Sequence, residues 1–102
     1  MIDKGTFGSS KAAVILEEVL NNLNDAKITK RVSRILVNSF IGFKKIKQIE
    51  DPCFAKSVSI LWRDHCLQTV NKTNYPPKVI STMCSLISSH YKIVLEEINE
   101  NS

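Results

Sequence analysis

The sequence predicts an all-α fold, a compact bundle of four to five short helices with an additional long C-terminal helix. Three observations carry this. Apolar residues recur at three- and four-residue steps through most of the 102-residue chain, the period of one helix face. No segment alternates apolar and polar residues as a half-buried strand does. The breaks between periodic segments, "NNLND", "EDPC" and "NKTNYPP", are short and rich in cap and turn residues, so the helices have short connections and each apolar stripe must be covered by the others.

Residues 1–8 hold two glycines and little periodicity and read as a flexible lead-in. From Ser9 or Ser10, either of which suits an N-cap, Ala12, Ile15, Leu16, Val19, Leu20 and Leu23 trace a first helix face. Thr29 then suits the cap of a second helix with Val32, Ile35, Leu36 and Phe40 on its apolar side. Gly42 interrupts that stripe and marks either a break between two short helices or a close contact, because glycine inside a helix costs about 1 kcal/mol relative to alanine. Phe43 and Ile46 continue the face beside Lys44 and Lys45. Asp51-Pro52 is the clearest start signal, an N-cap followed by a proline where no N–H is needed. The helix it opens places Phe54, Val58, Leu61 and Trp62 on one predicted face. Pro77 starts the last helix, whose stripe runs Ile80, Met83, Cys84, Ile87, Tyr91, Val94, Leu95 and Ile98. The expected organisation is thus a lead-in (1–8), a helical bundle (9–70), and a linker with a C-terminal helix packed on the bundle (71–102). That last helix either covers a hydrophobic face or occupies a groove that partners would use.

Composition narrows the function classes. No apolar run approaches the roughly 20 residues of a membrane span, and the first residues lack a secretory leader's pattern, so a cytosolic or nuclear protein without a membrane role is expected. Three cysteines, Cys53, Cys66 and Cys84, form no disulfide framework. A metal is not expected. Adjacent His65 and Cys66 diverge by about 100° on a helix, and Cys84 and His90 are off the helical repeat. No phosphate loop, nucleophile elbow or acid–base pair is present, so neither catalysis nor a cofactor is expected. The net charge of +4 is concentrated: seven basic residues and no acidic one lie between Ala26 and Ile49. Such a block suits an acidic peptide or nucleic acid, although it lacks aromatics interleaved among its charges for stacking on single strands.

One stretch says more. In "AKSVSILWR", Ala55-Lys56 is followed by apolar Val58 and then by Trp62-Arg63. This resembles the closing helix of the N-terminal domain of transcription elongation factor S-II, whose pattern is Ala-Lys-x-Leu-x-x-x-Trp-Lys. That family carries an apolar residue and a basic pair about twenty residues earlier, and Phe43-Lys44-Lys45 stands nineteen before Trp62. "AVILEEVLNNL" and Ile28-Thr29 resemble the family's first helix and the opening of its second. The likeness spans residues 12 to 66. Ile46 replaces a histidine often found after the basic pair, and the helix after Pro77 lies outside the family's core. "FKKIKQIEDPCFAKSV" is also similar to the related integrase-binding domain of lens epithelium-derived growth factor.

The resemblance implies a nuclear, non-catalytic scaffold that binds disordered motifs of transcription or chromatin proteins, each pairing an apolar anchor with acidic residues. The residues it puts forward for partner binding are Phe43, Lys44, Lys45, Lys56, Trp62 and Arg63. Trp62 is expected first of all in the core; its indole N–H, which seeks a partner and so keeps one ring edge near the surface, leaves it open whether the ring also walls a groove. A basic nucleic-acid-binding helical domain is the alternative, as is a helical adaptor unrelated to transcription.

Overall fold

A computed structural model describes residues 11–100, with side chains from residue 14 onward. Four helices account for nearly all of it: α1 (Lys11–Leu23), α2 (Ala26–Ile46), α3 (Pro52–Asn71) and α4 (Pro77–Glu100). The fold is the all-α bundle expected, with the long C-terminal helix as its fourth member and no fifth helix among the described residues. The lead-in and the Ser9 or Ser10 cap lie outside them.

α1 buries Leu16 and Leu20 and stops where "NNLND" says it should. Asn24 adopts φ 51, a left-handed conformation that its short polar side chain tolerates better than most. Its N–H donates back to the Leu20 carbonyl at 3.3 Å. The chain turns there without a spacer, and this moves the next cap. Asp25, not Thr29, caps α2: its Oδ1 accepts from the N–H groups of Lys27 (3.0 Å) and Ile28 (3.2 Å). Thr29 sits inside the first turn and donates its hydroxyl to the Asp25 carbonyl.

α2 runs unbroken through Gly42. Of the two readings of that glycine the close contact holds, with Trp62 as the neighbour. Val32, Leu36, Ser39, Phe43 and Ile46 face the core, while Lys44 and Lys45 in the last turn complement the negative end of the helix dipole. α3 starts as the sequence indicates, with Asp51 Oδ1 accepting from the N–H of Cys53 at 3.0 Å and Pro52 in the first turn.

The face of α3 differs from the expected one. Ala55, Ser59, Cys66 and Val70 are buried, whereas Phe54 and Leu61 are 58% and 69% exposed. Apolar residues wrap more than half of this helix, so periodicity alone does not select a face. Size selects it: a stripe of small side chains lets the α3 backbone lie close to its neighbours, and the one large residue beside it, Trp62, fits where α2 offers no side chain at all.

α4 contacts each of the other three helices. It buries Val79, Thr82, Met83, Leu86, Ile87, Tyr91, Val94 and Ile98, a wider band than the predicted stripe, because helices pack on more than one of its sides. It is the centre of the core. Buried hydroxyls bond within their own helices, Ser39 to the Ile35 carbonyl at 2.8 Å, Ser59 to Lys56 at 3.0 Å and Thr82 to Lys78 at 2.7 Å. None of the described buried side-chain polar atoms lacks a partner.

Candidate interaction surface

Trp62 is the hinge of the site. Its Nε1–H donates to the Ser39 carbonyl at 2.9 Å, and its ring lies on the Gly42 backbone. A Cβ added at Gly42 would sit 2.6 Å from Nε1 and nearer still to Cε2 and Cζ2, so only glycine admits the indole here. The ring is half-buried. One side borders a depression of about 230 Å³ lined by Ile35, Asn38, Cys66 and Thr69. The other borders a groove of about 350 Å³ lined by Gly42, Ile46, Val58, Leu61, Trp62 and His65. Exposed Phe54 and Leu61 are seven residues apart, two turns along the same side of α3, and extend this groove as an apolar bank.

The six residues put forward from the sequence do not share one surface. Phe43 is fully buried, its ring centroid 5.5 Å from His90 and 6.3 Å from Tyr91 on α4, so it packs in the core and offers a partner no area. Lys45 is exposed and follows Gly42 by three residues, one turn on and on the Trp62 flank of α2. Lys44 projects to the other flank, where it lines a groove of about 240 Å³ with Val37, Phe40, Ile41, Lys47 and His90. Arg63 turns toward α4: its guanidinium lies 4.5 Å from the centroid of Tyr91 and donates to Asp64 at 3.0 and 3.2 Å. Lys56, seven residues before Arg63, shares that edge of α3 and is half-buried. Trp62 and Lys45 thus belong to the α2–α3 side, Lys44 to the α2–α4 side, and Lys56 and Arg63 to the α3–α4 side.

Two features escaped the sequence reading. One is the exposure of Phe54 and Leu61. Its signal was the coexistence of two stripes in α3, one large (Phe54, Val58, Leu61) and one small (Ala55, Ser59, Cys66), of which the small one packs. The other is the cluster of Phe40, Lys47, His90 and Glu97, which only the docking of α4 on α2 assembles. The His90 ring lies 4.6 Å from Phe40, and Lys47 pairs with Glu97 across the helices. Burial holds the His90 imidazole below its usual range, with the Lys47 charge adding to this and Glu97 opposing it. Burial likewise pushes the Cys66 and Cys84 thiols up, a contact with Ser39 partly offsetting this for Cys66. A thiol shifted in this direction forms its thiolate less readily, and both pack as small apolar groups.

A further depression of about 550 Å³ lies at the α1–α2 turn, and Trp62 is not among the residues lining it. Its lining runs from Leu20 and Asn21 on α1 to Thr29 and Ser33 on α2, and Asn24, Asp25 and Thr29 within it turn the chain and start α2. Among the described residues no three ligand-type side chains gather around a common point, and no helix is long and apolar enough to cross a membrane. No known family model, curated protein or solved structure matches the chain. The likeness to the elongation factor S-II domain rests on the residues quoted for it.

Proposed function

We propose that this chain is a non-catalytic interaction module of nuclear transcription or chromatin complexes. It binds short disordered motifs of partner proteins that combine apolar anchors with acidic residues. The observation that carries the reading is the α2–α3 groove. A helix that keeps Ala55 and Ser59 inside while leaving Phe54 and Leu61 outside holds apolar area in water at the edge of a concave surface, the usual mark of a docking site. Gly42 and Trp62 form its floor, and Lys45 stands beside it. Lys45 attracts acidic residues, contributing rate and selectivity, while the anchors in the groove contribute most of the affinity. The four sequence elements shared with the elongation factor S-II domain support the same class of partner.

A specific observation favours a second reading. Lys27, Lys30, Arg31 and Arg34 are all exposed on the first half of α2, a basic strip that could follow phosphates. Salt separates the two. The expected result is that a peptide with two aromatic anchors and several acidic residues keeps most of its affinity between 50 and 200 mM salt, a window over which phosphate binding through these four cations falls by roughly 10². Duplex DNA binding more tightly than the peptide at 200 mM salt would replace the first reading by the second.

A further inference from the structure

The flank of α2 away from Trp62 carries a pattern that the proposed groove does not use. Lys30, Arg34, Val37, Ile41 and Lys44 follow one another at steps of four, three, four and three residues and so form one line along the helix. Lys30, Arg34, Ile41 and Lys44 are exposed, and Val37 is half-buried. The line is basic at both ends and apolar in the middle. Its apolar centre opens into the α2–α4 groove of about 240 Å³, where Phe40 and His90 form the wall. We infer that this line and its groove are a second docking strip, which takes an extended peptide bearing one large apolar side chain between acidic residues.

Length and charge both specify that occupant. Lys30 to Lys44 spans fourteen residues, about 21 Å along a helix, which six to seven extended residues cover at roughly 3.3 Å each. The central side chain enters the groove over Val37, Phe40 and Ile41. Acidic residues on one side reach Lys30 and Arg34, and those on the other reach Lys44. Lys47, at the far end of the groove, already holds a carboxylate, that of Glu97 from α4. The fold itself thus shows the pairing there that the peptide repeats at its neighbours. A duplex nucleic acid would satisfy the cations but leave the exposed Ile41 uncovered. The strip is separate from the α2–α3 groove, and either stands without the other.

The test is titration of the full chain with the synthetic heptapeptide Asp-Glu-Asp-Phe-Glu-Asp-Glu, followed by amide and histidine-ring NMR shifts and by fluorescence anisotropy. Shifts are expected at Arg34, Ile41 and Lys44 and on the His90 ring. The double reversal Arg34→Glu/Lys44→Glu should weaken binding about tenfold, and replacing the peptide's Phe by Ala should weaken it at least as much. Reversing Lys78 and Lys92, exposed residues of α4 away from the strip, changes the net charge equally and should leave affinity within about twofold. Thermal melts of each variant confirm that the surface changes leave the fold intact. Shifts confined to Gly42, Leu61 and Trp62 would overturn the strip while keeping the proposed groove. Absence of binding, equal loss in both charge reversals, or insensitivity to the Phe→Ala change would overturn it as well, the last two pointing to nonspecific charge or nucleic acid.

Discussion

The two flanks of α2 are joined to the rest of the molecule in different ways. On the α3 side the joint is steric: an indole lies on a bare stretch of helix, and its one polar atom is bonded to the Ser39 carbonyl at 2.9 Å. On the α4 side the joint is partly ionic: His90 packs against Phe40 and Phe43, with Lys47 and Glu97 paired at its rim. The first depends on shape. The second contains a group whose protonation the fold opposes. The comparison teaches that one helix serves as a rigid wall on one side and a titratable one on the other, and that substitutions on the two sides fail by different routes.

The largest effect is expected from Trp62→Ala. It removes the ring that joins α2 to α3 and leaves a void over Gly42, costing about 3 kcal/mol and lowering the melting temperature by more than about 10 °C in a domain this size. An unchanged melt would show that the α3 side is not held by this contact. Gly42→Ala comes next, and its sign depends on Trp62. With the indole present, overpacking costs about 1–3 kcal/mol and exceeds the roughly 1 kcal/mol gained in helix propensity. In the Trp62→Ala background the same substitution should stabilise. A double-mutant cycle by chemical denaturation reads the reversal, and equal effects in both backgrounds would remove the steric account.

On the α4 side the expected effect is pH-dependent. The His90 imidazole is held below its ordinary value of 6.5, by burial first and the Lys47 charge second. As pH falls through that value the unfolded chain takes up the proton before the folded one does, so stability decreases with acidification until the folded form also protonates. Stability at neutral pH and above is unaffected. Denaturant melts between pH 7.5 and 5 should show this slope, and His90→Gln should flatten it without altering the behaviour of the Trp62 joint. The smallest effect belongs to Lys47→Ala. The pair with Glu97 is 36% and 41% exposed, so its loss should change stability by less than about 1 kcal/mol.

Much of this architecture is legible in the sequence, for identifiable reasons. Asp51-Pro52 and Pro77 mark helix starts because their chemistry fits few other places. Asn24 ends α1 because few residues other than glycine accept its backbone angle. The stripe of α4 is long enough to be unambiguous. The cap of α2 was legible only in part, since choosing Asp25 over Thr29 requires knowing that the turn has no spacer. The face of α3 was not legible: two apolar stripes compete there, and the choice lies with Gly42 on another helix. The basic block on α2 was visible as composition, but its division between two flanks depends on where α3 and α4 lie. The His90 cluster has no trace in local spacing, because its members come from helices joined only by the fold.

The central claim is that Trp62 holds the bundle with one part of its ring and lines a partner groove with another. Its indole N–H gives a single NMR resonance, and that signal tests the claim most directly. On adding a peptide with two aromatic anchors and several acidic residues, the account predicts that this resonance and the Leu61 methyl signals shift and saturate together while the Trp62–Ser39 hydrogen bond stays protected from exchange. Saturable binding that leaves both signals in place would contradict it.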